Sequence, residues 1–146
     1  MRIISKLMRK IKRTLGSVRK INITSFECVT LRLSGMRIST EYELTGGVNP
    51  TLSRYFIRYT GKDERELDVS VPCTSEEMTA LLNTCHVGSW DGFHGNHPRG
   101  VSDGVMFNFT ATVNGGETIK AHGSENFPDG YRELVRALDG LLEGSR

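Results

Sequence analysis

The sequence predicts an α+β fold: an antiparallel sheet of about six strands packed with two helices, plus an N-terminal amphipathic helix, in the order α-ββββ-α-ββ-α. Three observations lead there. Apolar residues alternate with a period of two from Ile23 to Val71 and again from Val105 to Ala121. Helical apolar spacing appears only in residues 1–20, after Thr74 and after Pro128. No regular strand-helix-strand rhythm links the strands, so helices are expected on one side of an antiparallel sheet.

Taken in order, Ile3, Ile4, Leu7, Met8, Ile11, Leu15 and Val18 fall on one side of a helical projection, with Arg2, Lys6, Arg9, Arg13 and Lys20 on the other. Gly16-Ser17 weakens the helix beyond Leu15. Val29, Leu31 and Leu33 form a first strand, and Ile38, Thr40, Tyr42 and Leu44 a second, paired across the Gly35 turn. Beyond the Gly46-Gly47 and Asn49-Pro50 loop, Tyr55, Ile57 and Tyr59 alternate with Arg54, Phe56 and Arg58. A fourth strand, Leu67 to Val71, is stopped by Pro72. On this reading Arg54 and Arg58 share an outward face with Glu41, Glu43 and Asp68, a mixture that suits solvated cross-strand pairs better than an RNA-binding platform.

Thr74-Ser75-Glu76-Glu77 has the form of a capping box and opens a short helix with Met78, Leu81 and Leu82 inward, ending near Cys85. Val105, Phe107, Phe109, Ala111 and Val113 then alternate as the clearest strand in the chain. Asn114-Gly115-Gly116 turns it into a partner containing Thr118 to Ala121. The last helix is expected to take Pro128 in its first turn and to bury Tyr131, Leu134, Val135, Leu138, Leu141 and Leu142.

The 146 residues fit a basic arm, 1–20, followed by one α+β domain, 21–146. Cys28, Cys73 and Cys85 form no C-x-x-C pair, so reduced, mostly buried thiols are expected rather than a disulfide framework or a zinc ribbon. The arm lacks the continuous apolar core of a signal peptide, and no window has the roughly 18 apolar residues of a membrane span. A cytoplasmic protein is expected, peripheral at the membrane if the arm binds lipid.

Charge is strongly divided. Eight of the nineteen Lys and Arg residues lie in the first twenty positions with no acidic residue among them, leaving eleven basic against seventeen acidic residues in the remainder. A net charge of +2 therefore joins a segment near +8 to a body near −6. Arg2, Lys6, Arg9, Lys10, Lys12 and Arg13 are the candidate contacts, either to the acidic body, to a protein partner or to an anionic membrane surface. Nucleic acid is disfavoured, because the arm has no aromatic residue for stacking and no base-reading motif.

The segment from Ser89 to Gly104 holds the only Trp and two of the four histidines. Trp90, Asp91, His94 and His97 are its candidate site residues, and Asp91, His94 and His97 the candidate metal ligands. An H-x-x-H spacing in a glycine-rich loop does not aim two imidazoles at one point as H-E-x-x-H on a helix does. The competing reading anchors Trp90 and Phe93 in the core and uses Asp91 and Asp103 as turn caps. No G-x-S-x-G, P-loop or G-x-G-x-x-G motif occurs, and neither a catalytic set nor a cofactor is expected.

Trp90-x-Gly92-Phe93, Asp103-Gly104, Phe107-x-Phe109, Gly115/Gly116, Ala121-x-Gly123 and Phe127-Pro128-x-x-Tyr131 together resemble a family of small, uncharacterised bacterial proteins, over roughly residues 76–142. The resemblance implies a shared α+β fold and a bacterial source, and no activity. The functional expectation is a non-enzymatic, protein-binding interaction module. The alternatives are a peripheral membrane protein held by its basic helix, and a metal-binding or hydrolytic protein using the Trp90–Gly104 loop.

Overall fold

The computed structural model describes residues 20–35, 39–100 and 104–144. Strands β1 (Phe26–Ser34), β2 (Ser39–Thr45), β3 (Thr51–Tyr59) and β4 (Asp63–Pro72) form an antiparallel meander. Helix α1 (Ser75–Thr84) and a single 3-10 turn (Val87–Ser89) follow. The chain continues through a two-residue strand β5 (His94–Gly95), the hairpin of β6 (Met106–Val113) and β7 (Glu117–Ser124), and helix α2 (Tyr131–Glu143). The helix expected in the arm, and the candidate contacts Arg2, Lys6, Arg9, Lys10, Lys12 and Arg13, lie outside the described residues.

The sheet has seven strands in the order β4-β3-β2-β1-β6-β7-β5. The expectation of about six antiparallel strands is corrected at one edge, where β5 pairs with β7 in parallel, His94 beside His122 and Gly95 beside Gly123. Two residues are too few to leave an alternation pattern, so the sequence shows this segment only as loop. The sheet is therefore mixed, although every other neighbouring pair is antiparallel.

One face of the sheet carries the core. Val29, Leu31, Tyr42, Leu44, Leu52, Phe107, Phe109 and Ile119 pack with Met78 and Leu82 of α1 and Leu134, Leu138 and Leu142 of α2. Fully burying a side chain of this size is worth about 1.5–3 kcal/mol, so this face supplies the main driving force of folding. Thr74 opens α1 as the capping pattern requires, its hydroxyl accepting from the Glu77 amide at 3.2 Å. Helix α2 begins later than Pro128 suggests. Gly130 sits at φ 86°, outside helical geometry, and a Cβ there would lie 1.9 Å from the Cys85 carbonyl oxygen. The Pro128 carbonyl accepts from the Tyr131 amide in a turn ahead of the helix.

Strand β3 departs from the expected orientation. Its register places Leu52 opposite Leu44 and Arg54 opposite Tyr42, so Leu52 and Arg54 lie on the helix-covered face, while Tyr55 and Ile57 share the other face with Glu41. Arg54 is only 8% exposed. Its guanidinium donates to Asp68 on β4 at 2.8 Å and to Asp139 and Glu143 on α2 at 2.9 and 2.6 Å. The Tyr42 hydroxyl donates to the same Asp139 at 2.6 Å. Burial opposes the Arg54 charge, but hydrogen bonds to Glu143, Asp68 and Asp139 outweigh it and raise its pKa. No helix among the described residues is long and apolar enough to cross a membrane.

Candidate functional site: the outer sheet face and its histidine edge

Because both helices pack on one face of the sheet, the side chains pointing the other way form a largely polar surface, interrupted by Ile57, Leu67 and Met106. Its central row runs from Tyr55 on β3 through Glu41, Arg32, Asn108 and His122 to His94 on β5, fixed by the cross-strand register. A parallel row contains Ser53, Glu43, Thr30, Thr110 and Lys120. Asn108, Thr110, Lys120, His122 and His94 are exposed.

The two halves of this surface differ chemically. On the β1–β4 side charges are paired in a ladder. Arg65 donates to Glu41 at 2.8 Å and Glu43 at 3.0 Å while lying 4.0 Å over the Tyr55 ring, and Arg32 donates to Asp63 at 3.1 Å. The hydrogen bonds to Glu41 and Glu43 raise the Arg65 pKa. Arg32 Nε is buried and has no hydrogen-bond partner among the described residues, and it lies 3.8 Å from a Glu41 carboxylate oxygen. Several pairs sharing two arginines hold one geometry better than an isolated surface pair does. On the β6–β7–β5 side the residues are amides, hydroxyls, one lysine and imidazoles, with the exposed Met106 at the start of β6.

The histidine edge is the sharpest local feature. His94 and His122 meet with their Nε2 atoms 2.9 Å apart and their ring planes inclined at 72°. For that contact one Nε2 donates and the other accepts, which fixes complementary tautomers. His97 Nδ1 lies 2.7 Å from the Ser124 hydroxyl, two residues along β7 from His122. Close backbone approach secures the edge. A Cβ at Gly95 or Gly123 would fall 2.4 or 2.3 Å from the Asn126 carbonyl oxygen.

The loop candidates thus separate. Trp90 is 1% exposed, stacks edge-on against Phe109 with centroids 4.9 Å apart, and donates its indole N–H to the Asp129 carbonyl at 2.8 Å. Asp91 accepts from the Lys120 amide at 2.9 Å, joining the loop to β7. His94 is brought to His122, whereas His97 is brought to Ser124. Asp103 lies outside the described residues. Among the described residues, no group of three or more His, Cys, Asp or Glu side chains is placed to hold a metal ion.

His122 is the residue that sequence reasoning missed. Its signal was present, because His122 stands between the inward Ala121 and Gly123 and so must point outward. The partner was hidden in a strand too short to recognise. No family model, curated protein or solved structure matches the chain.

Proposed function

We propose that the protein is a non-enzymatic interaction module that presents the outer face of its sheet to a protein partner. The observation that supports this reading is the division of labour between the two faces. The inner face holds both helices and the core, while the outer face holds an ordered charge ladder beside exposed Asn108, Thr110 and Lys120. A surface already fixed by cross-strand pairing loses little side-chain freedom when a partner covers it, which reduces the entropic cost of association.

Affinity capture with the full chain tests the proposal. The variant Thr110→Arg with Lys120→Glu alters shape and charge at exposed outer-face positions and leaves the core untouched. A partner retained by the unmodified chain and lost by this variant, with an unchanged thermal melt, supports the reading; identical retention by both overturns it.

The charge of the arm favours a second reading, peripheral attachment to an anionic membrane. Each Lys or Arg near such a surface is worth about 1 kcal/mol, and residues 1–20 carry eight with no acidic residue. Co-sedimentation with anionic vesicles, comparing the full chain with one beginning at Ile21, distinguishes the readings. Pelleting that depends on the arm supports attachment, and equal, negligible pelleting removes it.

A further inference from the structure

We propose that His94 and His122 form a two-histidine site for a divalent late transition-metal ion, with copper(II) the best-fitting ion. The ligand set differs from the Asp91, His94 and His97 group suggested by sequence spacing, and the proposal does not depend on the outer face binding a protein. Imidazole nitrogen suits copper, nickel and zinc, and affinity for such sites is greatest for copper(II).

The two ring nitrogens also lie within reach of one ion. Metal–imidazole bonds are about 2.0–2.1 Å long, so an ion at that distance from two nitrogens 2.9 Å apart subtends a nearly right angle between them. That angle is the cis arrangement of a square-planar or tetragonal ion, the geometry copper(II) prefers.

The backbone supplies the preorganisation. His94 and His122 are direct neighbours in the parallel β5–β7 pair, and the packing of Gly95 and Gly123 against Asn126 fixes that pair. The rings meet edge to face with centroids 3.8 Å apart, so metal binding requires them to turn until both lone pairs converge. Both side chains are exposed, and torsions about a ring-bearing bond are soft. The ring that carries hydrogen on Nε2 takes up the Nδ1–H tautomer through solvent, leaving two neutral ligands. Water completes the coordination shell.

Copper(II) added to the full chain in a non-coordinating buffer is the probe, followed by calorimetry and electron paramagnetic resonance. The expected result is one ion per chain, with a spectrum showing two equatorial imidazole nitrogens. Losing an outer-shell partner alone costs metal sites about 10–100-fold in affinity, so His94→Gln and His122→Gln are each expected to weaken binding by at least about tenfold. His86→Gln, beside the 3-10 turn, is expected to retain it. No binding at high micromolar copper, equal binding by all three variants, or a spectrum with fewer than two imidazole nitrogens overturns the assignment. The nitrogen count is read on the unmodified chain and stands even if a variant misfolds.

Discussion

Asn114 shows how much one side chain in this protein does. Its carbonyl oxygen accepts from the Thr24 amide at 2.7 Å, the Thr24 hydroxyl at 3.0 Å and the Ser25 amide at 3.3 Å, while its amide nitrogen donates to the Asn22 carbonyl at 2.9 Å. Its backbone is left-handed, at φ 54°. Both demands fit asparagine, which tolerates that conformation and offers donor and acceptor together. Asn114→Ala loses the hydrogen bonds and strains the turn, and is expected to lower stability by about 3 kcal/mol. Asn114→Gly loses the same bonds but accepts the backbone, so about 2 kcal/mol is expected. Urea unfolding of the two variants checks the order, and an alanine variant as stable as the unmodified chain refutes it. The Asn-Gly-Gly run marked the turn in the sequence. The bonds to Asn22, Thr24 and Ser25 were not legible there, because they join segments about ninety residues apart and depend on the pairing of β1 with β6.

At the scale of elements, Arg54 ties α2 to β3 and β4. Asp68, Asp139 and Glu143 all reach one guanidinium, and Tyr42 holds Asp139 from β2. Sequence alternation could not reveal this, because both faces of β3 carry apolar residues: Leu52 and Phe56 on one, Tyr55 and Ile57 on the other. Alternation identified the strand but turned Arg54 outward; the pairing of Arg54 with Tyr42 puts it on the helix-covered face instead. Most other elements were legible because cap, period and turn chemistry agreed, as with Thr74 before α1 and the uninterrupted run from Val105 to Val113. Strand β5 was illegible for the opposite reason, having no period of its own and existing only where β7 offers an edge. Removing a partner from a buried ion cluster leaves uncompensated charge and typically costs about 3–5 kcal/mol. Asn- and Thr-type caps contribute about 1 kcal/mol. Arg54→Ala is accordingly expected to cost about 3 kcal/mol, near the lower limit because Asp139 and Glu143 are partly exposed and keep some solvent. Hydrogen exchange should show the loss first as faster opening of α2. Unchanged exchange throughout α2, with unchanged stability, would contradict this role for Arg54.

Across the whole molecule, closure of α2 over the sheet depends on two phenols remaining neutral. Tyr42 lies on β2 against Asp139, and Tyr131 begins α2, stacked on Phe127 with centroids 4.3 Å apart and tilted against Phe107. Burial first, then the hydrogen bond to Asp139, raises the Tyr42 pKa above its ordinary value of 10.0; burial and the charge of Glu125 do the same for Tyr131. A group whose pKa is higher in the folded chain contributes stability in full below the unfolded value and loses it as pH rises toward the folded one. Stability is therefore expected to fall above about pH 10, by up to about 1.4 kcal/mol per pH unit for each tyrosine that ionises only on unfolding. Tyr42→Phe removes one of the two contributions. At neutral pH it is the less stable protein, having lost a hydrogen bond to a carboxylate worth about 1.5–3 kcal/mol. With rising pH the unmodified chain loses stability faster, so the gap between the two should narrow. Urea midpoints measured from pH 8 to pH 12 test this, and a gap that stays constant across the range would show that Tyr42 ionisation is not coupled to unfolding.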